Sequence, residues 1–159
     1  MLDAAQVSSS SMASLRTLLV LFSCSVFLAA CNSKLVEPST EEARERWEQA
    51  NIENYRFFYK LRCFCLGPAA EGAFVTVRNG RVADVELENA RATEEDIQAF
   101  ETIDMLFDQI SKYDPDSVYS ISSTYDPELG FPVEFYVDIN HMMADEEWGF
   151  IVSDFSILD

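Results

Sequence analysis

The chain has 159 residues, of which 28 are acidic and 11 basic, so its formal net charge at pH 7 is −17. Hydrophobic residues make up 48% of the chain, and 12 Phe, 6 Tyr and 2 Trp supply material for a core. This composition excludes disordered, collagen-like and low-complexity proteins. The acidic balance also excludes a nucleic-acid binder, because a phosphate backbone requires a basic surface.

Residues 12–31 have the composition of an export signal. Arg16 supplies a positive charge, and the 13 residues from Leu18 to Ala30 carry none. A helix needs about 20 residues to span a bilayer, so this run suits a signal peptide better than a membrane span or a buried helix. It ends in Leu28-Ala29-Ala30-Cys31, which resembles the lipobox of bacterial lipoproteins. We predict that residues 1–30 form a signal peptide, with Met12 as the natural start, and that Cys31 is the lipid attachment site.

Cleavage before Cys31 would leave residues 31–38 as a lipidated tether and residues 39–159 as a single domain. Two or three acyl chains on one Cys anchor a protein firmly, whereas a single chain binds only marginally. Asn32 occupies the position where an Asp is the familiar signal for retention in the inner membrane. We therefore expect a membrane-anchored lipoprotein of the cell envelope, on the outer membrane and facing the periplasm if the host is Gram-negative.

The domain is predicted to begin with a helix and a long strand. Ser39 and Glu42 form a capping-box pattern, and an apolar stripe at helical spacing follows it (Ala43, Trp47, Ala50). The stretch from Tyr55 to Cys65 then alternates with period two. One face carries Tyr55, Phe57, Tyr59, Leu61, Cys63 and Cys65, and the other carries Arg56, Phe58, Lys60, Arg62 and Phe64.

The rest of the chain predicts a hairpin, a helical region and three strands. Asn79-Gly80 separates two apolar runs, which is the strongest short hairpin signal, although the pattern leaves open which hairpin face is buried. The region from Thr93 to Tyr113 is either one helix or a helical turn followed by a helix from Thr102. Strands are predicted over 118–125, 133–139 and 148–157.

These elements predict an α+β fold with the order α-βββ-α-βββ. Because single strands do not alternate with helices, we expect an antiparallel sheet of about six strands with two helices packed on one face. The two αβββ halves look like a topological repeat, without a repeat at the level of residues.

Several strings together resemble an uncharacterised family of small bacterial lipoproteins that contain a domain of unknown function. They include Trp47, Asn54-Tyr55-Arg56-Phe57, Cys63-Phe64-Cys65, the segments 75–80 and 102–108, Tyr125-Asp126-Pro127, Gly130-Phe131-Pro132, Asp138 and Asp145-Glu146. The chain departs from the family at Leu66, where Pro is frequent, at Met105, where Glu is usual, and at His141-Met142-Met143. The resemblance implies a secreted single domain and no activity.

Catalytic and cofactor motifs are missing from the sequence. His141 is the only histidine, so a Ser-His-Asp triad would have to use it, and no G-x-S-x-G, H-E-x-x-H, P-loop or G-x-G-x-x-G pattern is present. We predict a non-enzymatic protein without a catalytic residue, cofactor or bound metal.

Cys63 and Cys65 are the most distinctive candidate site in the sequence. Export would place them in an oxidising compartment, where free thiols seldom persist. Residues i and i+2 of a straight strand have Cα atoms about 6.5 to 7 Å apart, at the upper edge of disulfide geometry. A bulge or a turn at Gly67-Pro68 would close that gap. We favour a disulfide, with a buried thiol pair and a redox or metal site as the alternatives.

Charge is distributed unevenly. Residues 31–91 contain 10 acids and 9 bases, whereas residues 92–159 contain 17 acids and one base, Lys112. This asymmetry is typical of a solvated acidic face. The alternatives are a surface for Ca²⁺, built from Asp138, Asp145, Glu146 and Glu147, or for a basic partner, and a Cu(I) site at His141-Met142-Met143.

We interpret the sequence as a non-enzymatic envelope lipoprotein with a binding or support role. Its expected partners are the membrane, through Cys31, and another envelope protein, with no nucleic acid. Three alternatives stay open: a divalent-cation module, an inhibitor or assembly partner that presents exposed aromatic residues, and a thiol-redox protein.

Overall fold

The computed structural model describes residues 37–88 and 90–159. Six strands form one antiparallel sheet in the order β3-β2-β1-β6-β5-β4. The strands are β1 (Tyr55–Cys63), β2 (Ala73–Arg78), β3 (Arg81–Leu87), β4 (Ser120–Tyr125), β5 (Pro132–Asp138) and β6 (Trp148–Ile157). The described helices are α1 (Thr40–Ala50), α2 (Pro68–Glu71), α3 (Glu94–Gln98) and α4 (Ile103–Ile110).

The predicted six-stranded antiparallel sheet is confirmed, as are the helix after Ser39 and a helical turn followed by a helix from Thr102, but the helices are shorter than expected and the predicted element order is wrong. A one-turn helix, α2, follows β1, because Pro68 is suited to the first turn of a helix and Gly67 to the turn before it. The second helical region consists of two short helices, since Thr93 and Thr102 each cap a separate start. The observed order is therefore α-β-α-ββ-α-α-βββ, and the fold is mostly sheet.

The halves are also not a topological repeat. The first half begins at a central strand, β1, and runs outward to the edge strand β3. The second half begins at the opposite edge, β4, and runs inward to β6. Equivalent strands would occupy equivalent places in a repeat, so the two halves differ in topology.

The core lies on one face of the sheet, as the alternation along β1 predicts. Tyr55, Phe57 and Tyr59 are buried, while their neighbours are half-buried or exposed. The Trp47 ring of α1 meets the Tyr55 ring edge-on at 5.3 Å, and Phe107 of α4 stacks on Tyr125 at 6.0 Å. Burial of such apolar side chains, with the aliphatic residues around them, is the main favourable contribution to folding.

The Asn79-Gly80 hairpin is confirmed, and a bulge decides its buried face. Both residues have positive φ, 51° and 69°, as a type I′ turn requires. The register shifts next to Val77, so that Val82 pairs with Val77 and Val85 with Val75. The bulge therefore brings the valines of both strands to the core face, which a regular hairpin could not do.

The predicted capping box at the start of α1 is also confirmed. The Ser39 backbone N–H donates to Glu42 at 2.9 Å, and the Ser39 hydroxyl accepts from the Glu42 backbone N–H at 3.2 Å. The bond from the Ser39 backbone N–H, and then the Ser39 hydroxyl, which donates to the same carboxylate at 3.0 Å, hold the pKa of Glu42 below its usual value. They fix the point at which the chain enters the domain.

Candidate functional site at one end of the sheet

The chain leaves β1 through a tight turn that brings two cysteines together. The strand ends at Cys63, the chain bends at Phe64, and the Cα atoms of Cys63 and Cys65 are 5.2 Å apart. Their sulfur atoms are in close contact. The bend occurs before the predicted turn at Gly67-Pro68, and it shortens the Cα separation to a value inside the usual disulfide range.

The same turn holds two apolar side chains in solvent. The Phe64 side chain is 82% exposed and Leu66 is fully exposed. The base of the turn is packed, because α2 returns the chain to the sheet and the Phe58 ring lies against Gly72, where a Cβ atom would overlap it. The exposed residues are thus carried by an anchored turn.

A second group of exposed apolar side chains lies in the loop between β5 and β6. Met142 and Met143 are exposed, and the His141 ring stacks on Tyr119 with centroids 4.5 Å apart. Asn140 closes the loop, since its side chain accepts from the Met142 N–H at 3.1 Å and its carbonyl accepts from the Met143 N–H at 2.8 Å. The hypothesis of a Cu(I) site at these three residues stays untested.

The strand register places both groups at the same end of the sheet. Cys63 pairs with Trp148 at the start of β6, Trp148 pairs with Val137 near the end of β5, and the Tyr119 N–H donates to the Ile139 carbonyl at 3.2 Å. Of the eight large apolar side chains that are exposed among the described residues, six therefore lie at this end of the sheet, next to the ends of β1, β5 and β4. We call this set the apolar end: Phe64, Leu66, Tyr119, Ile139, Met142 and Met143.

Acidic side chains adjoin the apolar end. Asp138 ends β5 and is only 9% exposed, while Asp145, Glu146 and Glu147 follow in the loop. Within the described residues, one carboxylate oxygen each of Asp138 and Glu146 has no hydrogen-bond partner. Burial, and then the negative charges of Asp138 and Glu147, raise the pKa of Tyr136. The potential beside the apolar end is therefore negative.

These carboxylates do not converge on one point. Across residues 37–88 and 90–159, no group of three or more His, Cys, Asp or Glu side chains is arranged to hold a metal ion. The predicted acidic calcium surface thus has its residues in one neighbourhood without a formed ligand shell.

The basic stripe of β1 lies on the opposite face of the sheet from the core. Arg56 bonds Glu86 at 2.7 Å and lies over the Phe74 ring at 3.9 Å, and Arg62 bonds Glu134 at 2.5 Å. Both arginines are therefore neutralised by acids of neighbouring strands. This arrangement suits a solvated sheet face better than a site for an anion.

The domain begins beside the edge strand β4. The Thr40 hydroxyl, at the start of α1, lies 2.7 Å from the Tyr125 hydroxyl, and Tyr125 is the last residue of β4. Tyr119, in the apolar end, precedes the first residue of the same strand. The Tyr125 hydroxyl is also 3.0 Å from the Ser123 hydroxyl. The chain thus enters the domain alongside β4. Cys31, the predicted lipid site, lies outside the described residues.

The sequence predicted Cys63 and Cys65 as a pair but missed the apolar end. Apolar residues at 64 and 66 beside Gly67-Pro68 were the available signal, because apolar side chains in a turn cannot all face a core. Their proximity to Tyr119 and Met142 depends on strand pairing.

The fold and this site define a small antiparallel domain that presents an apolar, acid-flanked end to solvent. Residues 39–157 match the family of unknown function DUF6174, and the chain belongs to that family. No curated protein and no solved structure matches the sequence.

Proposed function

We propose that the protein is a non-enzymatic, membrane-anchored lipoprotein of the cell envelope that binds a protein partner through its apolar end. The observation that supports this proposal is that six of the eight exposed large apolar side chains of the described residues lie at one end of the sheet. Exposed apolar patches bordered by polar residues usually mark interaction sites.

The proposed anchoring to the membrane depends on the lipobox at Cys31. Eight residues, 31–38, would separate the acyl chains from the capping box, and an extended chain of that length reaches at most about 28 Å. The start of α1 would then lie within about that distance of the membrane surface. Within the described part of the chain, no helix is long and apolar enough to cross a membrane.

The disulfide would fix the conformation of the turn that carries Phe64 in the apolar end. A bond between Cys63 and Cys65 closes a short ring around Phe64, so that this side chain would be held outward before a partner arrives. Pre-organisation of this kind improves affinity, because less conformational entropy is lost on binding.

The partner is expected to offer an apolar pocket with a basic rim. Aromatic residues and Met are typical of interface centres. The adjacent acids, Asp145, Glu146 and Glu147, would face the rim and steer association through complementary charge.

Site-specific photo-crosslinking in the native envelope tests the partner. A photoreactive residue at Phe64, Leu66 or Met142 should yield one common crosslinked protein. The matched control is Ile157, which is 60% exposed at the other end of the sheet and should not yield that species. The proposal fails if the three positions give no adduct, or if position 157 gives the same one.

Lipidation is tested separately with Cys31→Ala. We expect an uncleaved or mis-sorted precursor without acyl chains, measured by intact mass. Normal lipidation of this variant would overturn the anchored part of the proposal and leave the apolar end unaffected.

A further inference from the structure

The two edge strands of the sheet, β3 and β4, differ in their charged side chains and in what covers them. The free edge of β3 is met by Arg91, which forms a β-bridge with Glu86, and β3 itself carries Arg81, Asp84 and Glu86. Charged side chains and covering segments are the usual protection of an edge strand. The β4 edge has the sequence Ser-Ile-Ser-Ser-Thr-Tyr, without a charge, Pro or Gly.

The backbone of β4 is available for pairing. The Tyr119 N–H bonds the Ile139 carbonyl, and backbone groups alternate in direction along an antiparallel pair. Ser120, Ser122 and Thr124 therefore turn their N–H and C=O groups away from β5. In the described structure β5 is the only strand that pairs with β4. The register is regular from Ser120 to Thr124, which offers an unbroken edge of five residues.

A groove runs beside this edge on the core side of the sheet. It has a volume of about 440 Å³, and its walls include Thr40 of α1, Ile110 of α4, Tyr113, and Ile121 and Ser123 of β4. On the central strands β1 and β6 the corresponding face is buried, but Ile121 and Ser123 are only half-buried. The helices thus stop short of the edge, and an added strand could place apolar side chains in the space that remains.

The acidic residues around the groove favour an added strand that carries basic side chains. Glu41 lines the groove, and Asp114 and Asp116 follow α4. Residues 92–159 hold 17 acids against the single base Lys112. A second copy of the chain would bring like charges together at this edge, whereas a segment that contains Lys or Arg would neutralise them.

We propose that the β4 edge binds an extended, basic polypeptide segment by strand addition. Apolar side chains of the segment fill the groove, basic side chains at the rim of the groove lie near Glu41, Asp114 and Asp116, and its backbone bonds β4. This surface adjoins the apolar end at Tyr119 but uses the backbone of residues 120–124, so its test is independent of the proposed function.

The probe is an eight-residue peptide of alternating Val and Lys, with fluorescein at one end and both termini blocked. Its binding to the full-length protein in detergent is measured by fluorescence anisotropy. Two further peptides are compared. One carries N-methyl groups on the backbone nitrogens of its Val residues, and the other carries them on the backbone nitrogens of its Lys residues. Strand addition uses only alternate N–H groups of the probe, so one methylated peptide should bind at least ten-fold more weakly than the other. Equal binding of both would indicate simple charge attraction and overturn the proposal.

Hydrogen exchange locates the contact. The peptide should slow exchange in residues 120–124 and leave residues 81–87 unchanged, and protection elsewhere alone, including protection only at the apolar end, would overturn the proposal. Ser122→Pro removes an N–H that β5 does not use, so it should preserve the melting temperature while weakening binding at least ten-fold. Ser122→Ala keeps the N–H and should bind like the natural chain.

Two other occupants would overturn the proposal. A concentration-dependent dimer that Ser122→Pro abolishes would assign the edge to a second copy. Protection of residues 119–125 in the free chain that disappears on deletion of residues 32–36 would assign it to the tether.

Discussion

The Tyr55 hydroxyl accepts a hydrogen bond from the backbone N–H of Ile103 at 3.0 Å, and both residues are fully buried. This bond joins the first residue of β1 to the first residue of α4. It satisfies one of the N–H groups that a helix start leaves without an intrahelical partner. The contact fixes where α4 begins on the sheet.

Tyr55→Phe should therefore destabilise the protein by about 1–3 kcal/mol, because the buried N–H of Ile103 would lose its partner. Urea unfolding measures this loss. Tyr119→Phe removes the hydroxyl of an exposed tyrosine and should change stability by less than about 0.5 kcal/mol. Equal midpoints for both variants would contradict the assigned role of Tyr55.

The same burial predicts unfolding at alkaline pH. Burial raises the pKa of Tyr55 and of Tyr59 above the ordinary value of 10.0, so each stays neutral in the folded state after it ionises in the unfolded state. Stability should be complete below about pH 10 and should fall above it by up to about 1.4 kcal/mol per pH unit for each tyrosine. Tyr59→Phe should flatten this slope, measured by urea unfolding between pH 9 and pH 11, and Tyr119→Phe should not. An unchanged slope in Tyr59→Phe would contradict the prediction.

Gly149 lies in β6 between Arg62 of β1 and Tyr136 of β5. A Cβ atom at this position would overlap the carbonyl oxygen of Phe135. Because backbone atoms in a central strand cannot move aside easily, Gly149→Ala should destabilise the protein by about 1–3 kcal/mol or more. Ser153→Ala, on the same strand, is the control. A melting temperature equal to that of the control would show that the strand can shift.

The acidic half of the chain should respond to ionic strength and not to calcium itself. About 0.15 M salt screens the repulsion among the acidic side chains, so it should raise the melting temperature modestly. Specific binding would add a stabilisation that saturates with calcium and is absent in sodium at equal ionic strength. We expect coincident melting curves in the two salts, with Asp145→Asn and Glu146→Gln as controls. A calcium-specific rise that Glu146→Gln removes would instead establish a cation site.

Cys63 and Cys65 should be bonded in the exported protein. Their Cα separation of 5.2 Å permits the bond, and an oxidising compartment favours it. Non-reducing mass spectrometry of the mature chain should find two hydrogens fewer than after reduction, and Cys63→Ser should abolish the difference. Alkylation of both thiols in freshly isolated protein without reductant would rule the bond out.

Local chemistry in the sequence determined the elements that depend on near neighbours. Ser39 and Glu42 are three residues apart, so the cap of α1 is predictable from the chain. Asn79-Gly80 tolerates positive φ at both positions, which specifies the hairpin turn. The alternation from Tyr55 onward specifies which face of β1 is buried, because side chains of a strand point to opposite sides in turn.

Only the tertiary structure decided which strands pair and which residues distant in the chain become neighbours. No pattern within β1 states that Cys63 lies beside Trp148, because strand pairing is set by the packing of the whole sheet. That pairing brings Phe64 and Leu66 to the end that carries Tyr119 and Met142. It also leaves β4 at an edge, since β6 returns to the centre of the sheet. Both proposed surfaces arise from this strand order, which long-range contacts impose and short-range sequence does not encode.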